Sequence, residues 1–194
     1  ALRRDDWPDQ VLMGCAVLGL SIPEFWLGLL LITVLGVDLG WLPTGGFVPI
    51  GESAGGWLRS ILLPSVTLAA GAVGFIARMT RSAMLDVLNQ DYIRTAESKG
   101  LPRAFVVLRH GLPNALIPIL TVIGIVAGGL LGGAVVVEQV FSLPGLGRLV
   151  IEAIKGRDFA VVQAGLLLIA AIYLLVNLLV DVLYAIADPR VRLT

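Results

Sequence analysis

The sequence predicts an all-α protein: a multi-pass transmembrane helical bundle with a helical insert between its second and third spans. Three observations predict it. Of the 194 residues, 57% are hydrophobic and only 14% are charged, with a mean hydropathy of +0.93, whereas soluble domains carry about 25% charged residues. Four apolar segments are each long enough to cross a hydrocarbon core about 30 Å thick at about 1.5 Å per helical residue. The positive charges are also shared unequally between the two sides that these segments define.

The four segments are residues 11–37, 61–83, 115–137 and 160–187. Inside a bilayer the backbone must satisfy its own hydrogen bonds, so each segment reads as a helix. Four crossings put both ends of the chain on one side, together with the loop between the second and third spans. That side holds Arg3, Arg4, Arg78, Arg81, Arg94, Lys99, Arg103, Arg109, Arg190 and Arg192. The other holds Arg59, Arg148, Lys155 and Arg157. The excess marks the cytoplasmic side. Trp41 and Trp57 then fall near the outer interface, where amphipathic rings are favoured.

Composition excludes several classes. Fourteen basic and fourteen acidic residues balance, which argues against a nucleic-acid binder built on a broad basic surface. One cysteine, Cys15, and one histidine, His110, make neither a disulfide framework nor a Cys- or His-based metal site. No GxxxxGK[ST] loop occurs, so the chain does not cradle ATP phosphates itself. The chain opens ALRRDDWPDQ, with no initiator Met and no secretory signal, and reads as the middle of something longer.

The cytoplasmic insert spans residues 84–113. Around Met84 to Ser98 the pattern is helical, with Leu85, Leu88, Tyr92 and Ala96 near one face. Gly100 is a left-handed stop, Pro102 suits the first turn of a second helix running to His110, and Pro113 ends it. Two short helices meeting at a glycine corner have two readings from the residues alone. One is a membrane-surface hairpin whose charges fix topology; the other is a compact rod that docks into a groove on a cytosolic partner.

The stretch DYIRTAESKGLPRAFVVLRHGLPN resembles the cytoplasmic loop of binding-protein-dependent ABC importer permeases. Their pattern is Glu-Ala-Ala, three residues, Gly, nine residues, then Ile-x-Leu-Pro. The triplet falls on Arg94, Thr95 and Ala96, followed by Glu97; the glycine is Gly100; the end is His110, Gly111, Leu112 and Pro113. Arg94-Thr95 in place of Glu-Ala points to the dipeptide, oligopeptide and nickel branch, and His110 departs from the usual Ile. SIPEFWLGLLL, LGWLPTGG, VVVEQVFSLPGLGRL, GRDFAVVQAG and DVLYAIADPRVR are similar to the same branch, so the likeness covers nearly the whole chain.

The resemblance implies a permease subunit in a bacterial-type inner membrane, importing di- or oligopeptides, with nickel or another small solute as the alternative cargo. It implies six spans, of which this chain holds about the last four. It also implies partners: a second permease, two ATP-hydrolysing subunits that carry the ATP and Mg, and an extracytoplasmic solute-binding protein. The insert would be a coupling helix seated in the ATPase, with Arg94, Thr95, Ala96, Glu97, Gly100, Leu112 and Pro113 as its residues. The chain would be no enzyme, bind no cofactor and touch membrane lipid. A secondary transporter or channel, with the insert only a surface hairpin, is the alternative of different class.

Other features stay open at this level. Gly51-Glu52-Ser53-Ala54-Gly55 matches a serine-hydrolase elbow, but His110 is predicted on the opposite side of the membrane, so a flexible outer loop is the better reading. Gly124, Gly128 and Gly132, with Gly129 and Gly133 beside them, fit close helix packing within one subunit or a pore-lining or permease–permease face. Glu24 lies within the first span, facing a water-filled path or marking a kink between two pieces. Asn177 and Asp181 lie one turn apart on the last span, where Asp181 reads as solvated near the cytoplasmic end. The outer run Phe141 to Arg148 has Pro-Gly turn chemistry and suits an interfacial turn. By resemblance it lies near the outer gate and meets the binding protein.

Overall fold

The computed structural model describes residues 7–187, and Arg3, Arg4, Arg190 and Arg192, counted above on the cytoplasmic side, lie outside them. Among the described residues eight α-helices follow one another: α1 Trp7–Ser21, α2 Glu24–Leu31, α3 Ala54–Leu88, α4 Asp91–Ser98, α5 Arg103–Val106, α6 Leu112–Val140, α7 Leu146–Lys155 and α8 Phe159–Ala187. Wider π-turns extend α2 over Ile32–Asp38 and join α5 to α6 over Val107–Gly111. Strands are absent among the described residues.

Three helices are long and apolar enough to cross a membrane: Ala54–Leu88, Arg103–Val140 and Phe159–Leu183. The fourth expected span is not one straight helix. Asp9–Ser21 and Glu24–Asp38 meet at 103°, so residues 11–37 form a sharply bent helix pair, the geometry of a broken span or a re-entrant loop. The cause is local: Pro23 is extended (φ −59°, ψ 136°), it offers no N–H, and it disfavours helical geometry at Ile22.

Helix α3 begins where the Ser53 hydroxyl accepts the Gly56 N–H at 3.0 Å, an N-cap. Its 35 residues span about 52 Å at 1.5 Å each, more than one hydrocarbon thickness. Pro64 lies inside it, buried. Next to this interruption the Thr67 hydroxyl donates to Leu63 O at 2.8 Å and the Ser60 hydroxyl to Trp57 O at 2.8 Å. Pro64 leaves the Ser60 carbonyl without its regular N–H partner; these two hydroxyls bond carbonyls on either side of it.

Helix α1 runs antiparallel to α3 at near backbone contact. A Cβ on Gly74 would fall 2.5 Å from Ala16 O, and one on Gly19 would fall 2.9 Å from Ala70 O. Only glycine lets backbones approach so closely. Seven residues before Ala16 on α1, and seven after Gly74 on α3, Asp9 and Arg81 meet in the same register, with Nη2 2.6 Å from Oδ2 and Nε 3.0 Å from Oδ1.

Helix α2 packs between α3 and α6, and α6 lies against both α3 and α8. Two apolar clusters hold the ends. Met84, Val107, Ala115 and Ile119 form one near the insert, and Leu63, Val137 and Phe141 form the other at the far end. There the Phe141 carbonyl accepts the Gly46 N–H at 2.9 Å, tying the loop after α2 to α6. A turn through Ser142 (φ 54°) leads into α7, whose first turn is capped by the Glu138 carboxylate accepting the Arg148 N–H at 2.8 Å.

Candidate partner-docking site

The insert is built from the end of α3 outward. The helix predicted over Met84 to Ser98 is interrupted: α3 stops at Leu88, Asn89 and Gln90 intervene, and α4 restarts at Asp91. The break resets the helical face. Ile93, 1% exposed, points inward, whereas Tyr92 is 44% exposed, so Tyr92 does not share a buried face with Leu85 and Leu88. Anchored by Ile93 and packed against α5, α4 presents Asp91, Arg94, Thr95 and Glu97 to solvent, with Ala96 half-buried. Arg94 and Asp91 approach only to 3.6 Å and are both well exposed, an arrangement of little energetic weight. Their charges remain available to a partner.

Gly100 follows, with φ +78° and its N–H on Glu97 O at 2.9 Å. A Cβ there would meet no atom within 4 Å. The need for glycine is therefore conformational: the left-handed angle turns the chain through the corner, and no close approach is involved.

Beyond the corner the second predicted helix exists but does not end at Pro113. Arg103–Val140 is one continuous helix of 38 residues. Pro113 lacks an N–H and its ring would crowd the carbonyl of Arg109 in a regular α-helix. The backbone widens into the π-turn Val107–Gly111 instead, and the Asn114 side-chain amide donates to His110 O at 2.8 Å. Leu112 packs onto the cluster around Met84. Of the residues assigned to the insert, Arg94, Thr95, Ala96, Glu97 and Gly100 thus form one short rod and its corner. Leu112 and Pro113 lie at the root of α6 and do not close that rod. His110 sets its ring against Phe105, centroids 6.2 Å apart and 72° between planes.

The remaining predicted positions divide between two faces of α6. Gly124 and Gly128 pack against α8: a Cβ on them would fall 2.7 Å from Val180 Cγ1 and 2.7 Å from Tyr173 Cε2, respectively. Gly129 and Gly132 face open space. Glu24 is the first residue of α2, at the 103° break. Its carboxylate lies over Gly133, where a Cβ would come within 2.5 Å of Oε2. Asn177 and Asp181 line a groove between α6 and α8 with Thr121, Gly124 and Ile125, and Asp181 is exposed.

Sequence reading missed two working residues. Glu138 caps α7, and Asp9 pairs with Arg81. The spacing of seven residues that Asp9 and Arg81 share with the Ala16–Gly74 contact is visible only once α1 and α3 are aligned. Ser53, the serine of the hydrolase-like pentapeptide, caps α3 at the end away from the insert, while His110 lies in the π-turn at the insert end.

A peptide transport system permease, by its name, from Brucella abortus is 51% identical over 192 residues, covering 99% of this chain and 61% of that protein. The glutathione transport system permease protein GsiC of Salmonella typhi is 50% identical over 192 residues, covering 60% of its length. GsiC of Pectobacterium atrosepticum is equally similar. The chain therefore spans about three-fifths of these relatives. The family model for the binding-protein-dependent transport system inner membrane component matches residues 1–193, and the chain belongs to that family.

Proposed function

We propose that this chain is the membrane-spanning part of a permease in an ATP-driven importer of peptides, working with a second permease, two ATPase subunits and a solute-binding protein. The observation that carries the reading is α4: an eight-residue rod held between two membrane-length helices, pinned by Ile93 and cornered at Gly100, with its charged face outward. A rod fixed this way moves as a body with the helices that hold it. Seated in an ATPase cleft, it converts closure of the ATPase pair into displacement of α3 and α6. ATP and Mg belong to those partners, and this chain makes no covalent bond with cargo.

The Lys and Arg excess on the insert side supports α4 in the cytoplasm and α7 outside. The names of the relatives, peptide and glutathione permeases, favour a short peptide cargo over nickel. The test is uptake by the full-length permease reconstituted in proteoliposomes with its partner permease, ATPases and binding protein. ATP-dependent accumulation of peptide supports the reading. Accumulation driven by a proton gradient without ATP contradicts it.

A further inference from the structure

We propose that Glu24 anchors the positively charged amino group of the cargo as it crosses the membrane, an inference that rests on the peptide reading above. Glu24 sits within the apolar bundle, beside Leu68 of α3 and over Gly133 of α6. Among the described residues none hydrogen-bonds or ion-pairs with it. An unpaired carboxylate at membrane depth is costly and is kept where a water-filled path or a cation meets it.

Glu24 lines an open groove with Gly19, Gly71, Phe75, Ile125 and Gly129, and no other side chain of that lining carries a charge or a hydroxyl. One negative charge in an otherwise apolar groove selects one small cation. With no lysine or arginine in the lining, it offers nothing to a carboxylate. A peptide presents such a cation in its terminal ammonium, and a carboxylate partner offsets much of the cost of taking that charge out of water. The glycines leave room: a Cβ on Gly129 would meet nothing within 4 Å.

Ile125 also lines the separate groove that holds Asn177 and Asp181, which lies nearer the insert end of α6.

The test uses the complete reconstituted transporter with trialanine bearing a free amino terminus. During ATP turnover, dicyclohexylcarbodiimide activates accessible membrane carboxyls. An amine in contact with the activated Glu24 displaces the urea and forms an amide, which mass spectrometry of the permease reads as trialanine attached at Glu24. The proposal predicts that adduct, and its absence with N-acetyltrialanine. It also predicts that Glu24→Gln lowers trialanine uptake about tenfold, the equivalent of one charge-assisted hydrogen bond. Binding-protein-stimulated ATP hydrolysis and copurification of the subunits should persist, with Glu24→Asp restoring part of the uptake. A carbodiimide-modified Glu24 without peptide, or an unreactive Glu24, overturns the proposal. So does loss of copurification in Glu24→Gln, which would assign the carboxylate to a cation on another membrane helix. Wild-type vesicles that accumulate no trialanine would overturn the peptide reading itself, and the anchor with it.

Discussion

The Asp9 carboxylate meets the Arg81 guanidinium through both Nε and Nη2, the shorter contact being 2.6 Å, at side-chain exposures of 12% and 25%. This pair fastens the start of α1 to the part of α3 that projects toward the insert, so it fixes the base from which α4 hangs. Two-pronged, charge-assisted geometry in a mostly buried setting makes this a strong polar contact. Asp9→Ala should cost about 2 kcal/mol by removing these charge-assisted hydrogen bonds, read as a lower unfolding temperature in detergent. The double exchange Asp9→Arg with Arg81→Asp should recover part of the loss. Equal instability of the single and double variants would show that the pair is incidental.

Gly100 should tolerate asparagine, which enters left-handed geometry, better than valine. The corner has open space around it, so the difference comes from the backbone angle alone, worth about 1–2 kcal/mol against a branched residue. Gly100→Val should uncouple ATP hydrolysis from uptake while the subunits still copurify. Normal ATP-dependent uptake in that variant would show that the corner is not needed for coupling.

The glycine ridge on α6 should split by face. Gly128→Leu drives a side chain into Tyr173 and should destabilise the subunit by about 1–3 kcal/mol. A Cβ at Gly132 meets no described atom within 4 Å, so Gly132→Leu should leave thermal stability unchanged while reducing transport, because it fills the open face. Equal thermal shifts for the two variants would contradict the assignment of faces.

Ser53→Ala removes the cap on α3 and should cost about 1 kcal/mol, measured by thermal unfolding. A thermal midpoint identical to that of the parent protein would mean the cap carries no weight.

Much of this architecture is legible because bilayer physics writes it in composition. Membrane-length helices, the polar insert and the glycine corner all follow from hydropathy, charge and turn chemistry. What was not legible depends on geometry between elements. The stop placed at Pro113 fails because a π-turn and the Asn114 side chain absorb the proline, an adjustment that no local propensity announces. The single face drawn through Leu85, Leu88, Tyr92 and Ala96 is not continuous because two residues, Asn89 and Gln90, break the helix between α3 and α4. The kink at Pro23 was one of two readings of Glu24, and the structure shows the break. The split of the glycine ridge required knowing where α8 lies.

The central claim is that α4 transmits the state of an ATPase to the membrane helices, and one measurement tests it most directly. A single cysteine replaces Arg94, which is 72% exposed on α4, in a full-length permease carrying Cys15→Ser. It is co-expressed with the candidate ATPase bearing a cysteine in its docking cleft. The account predicts a disulfide crosslink in membranes whose yield changes when ATP is added. No crosslink at any nucleotide state, with both proteins folded and abundant, would contradict it and leave α4 a surface hairpin.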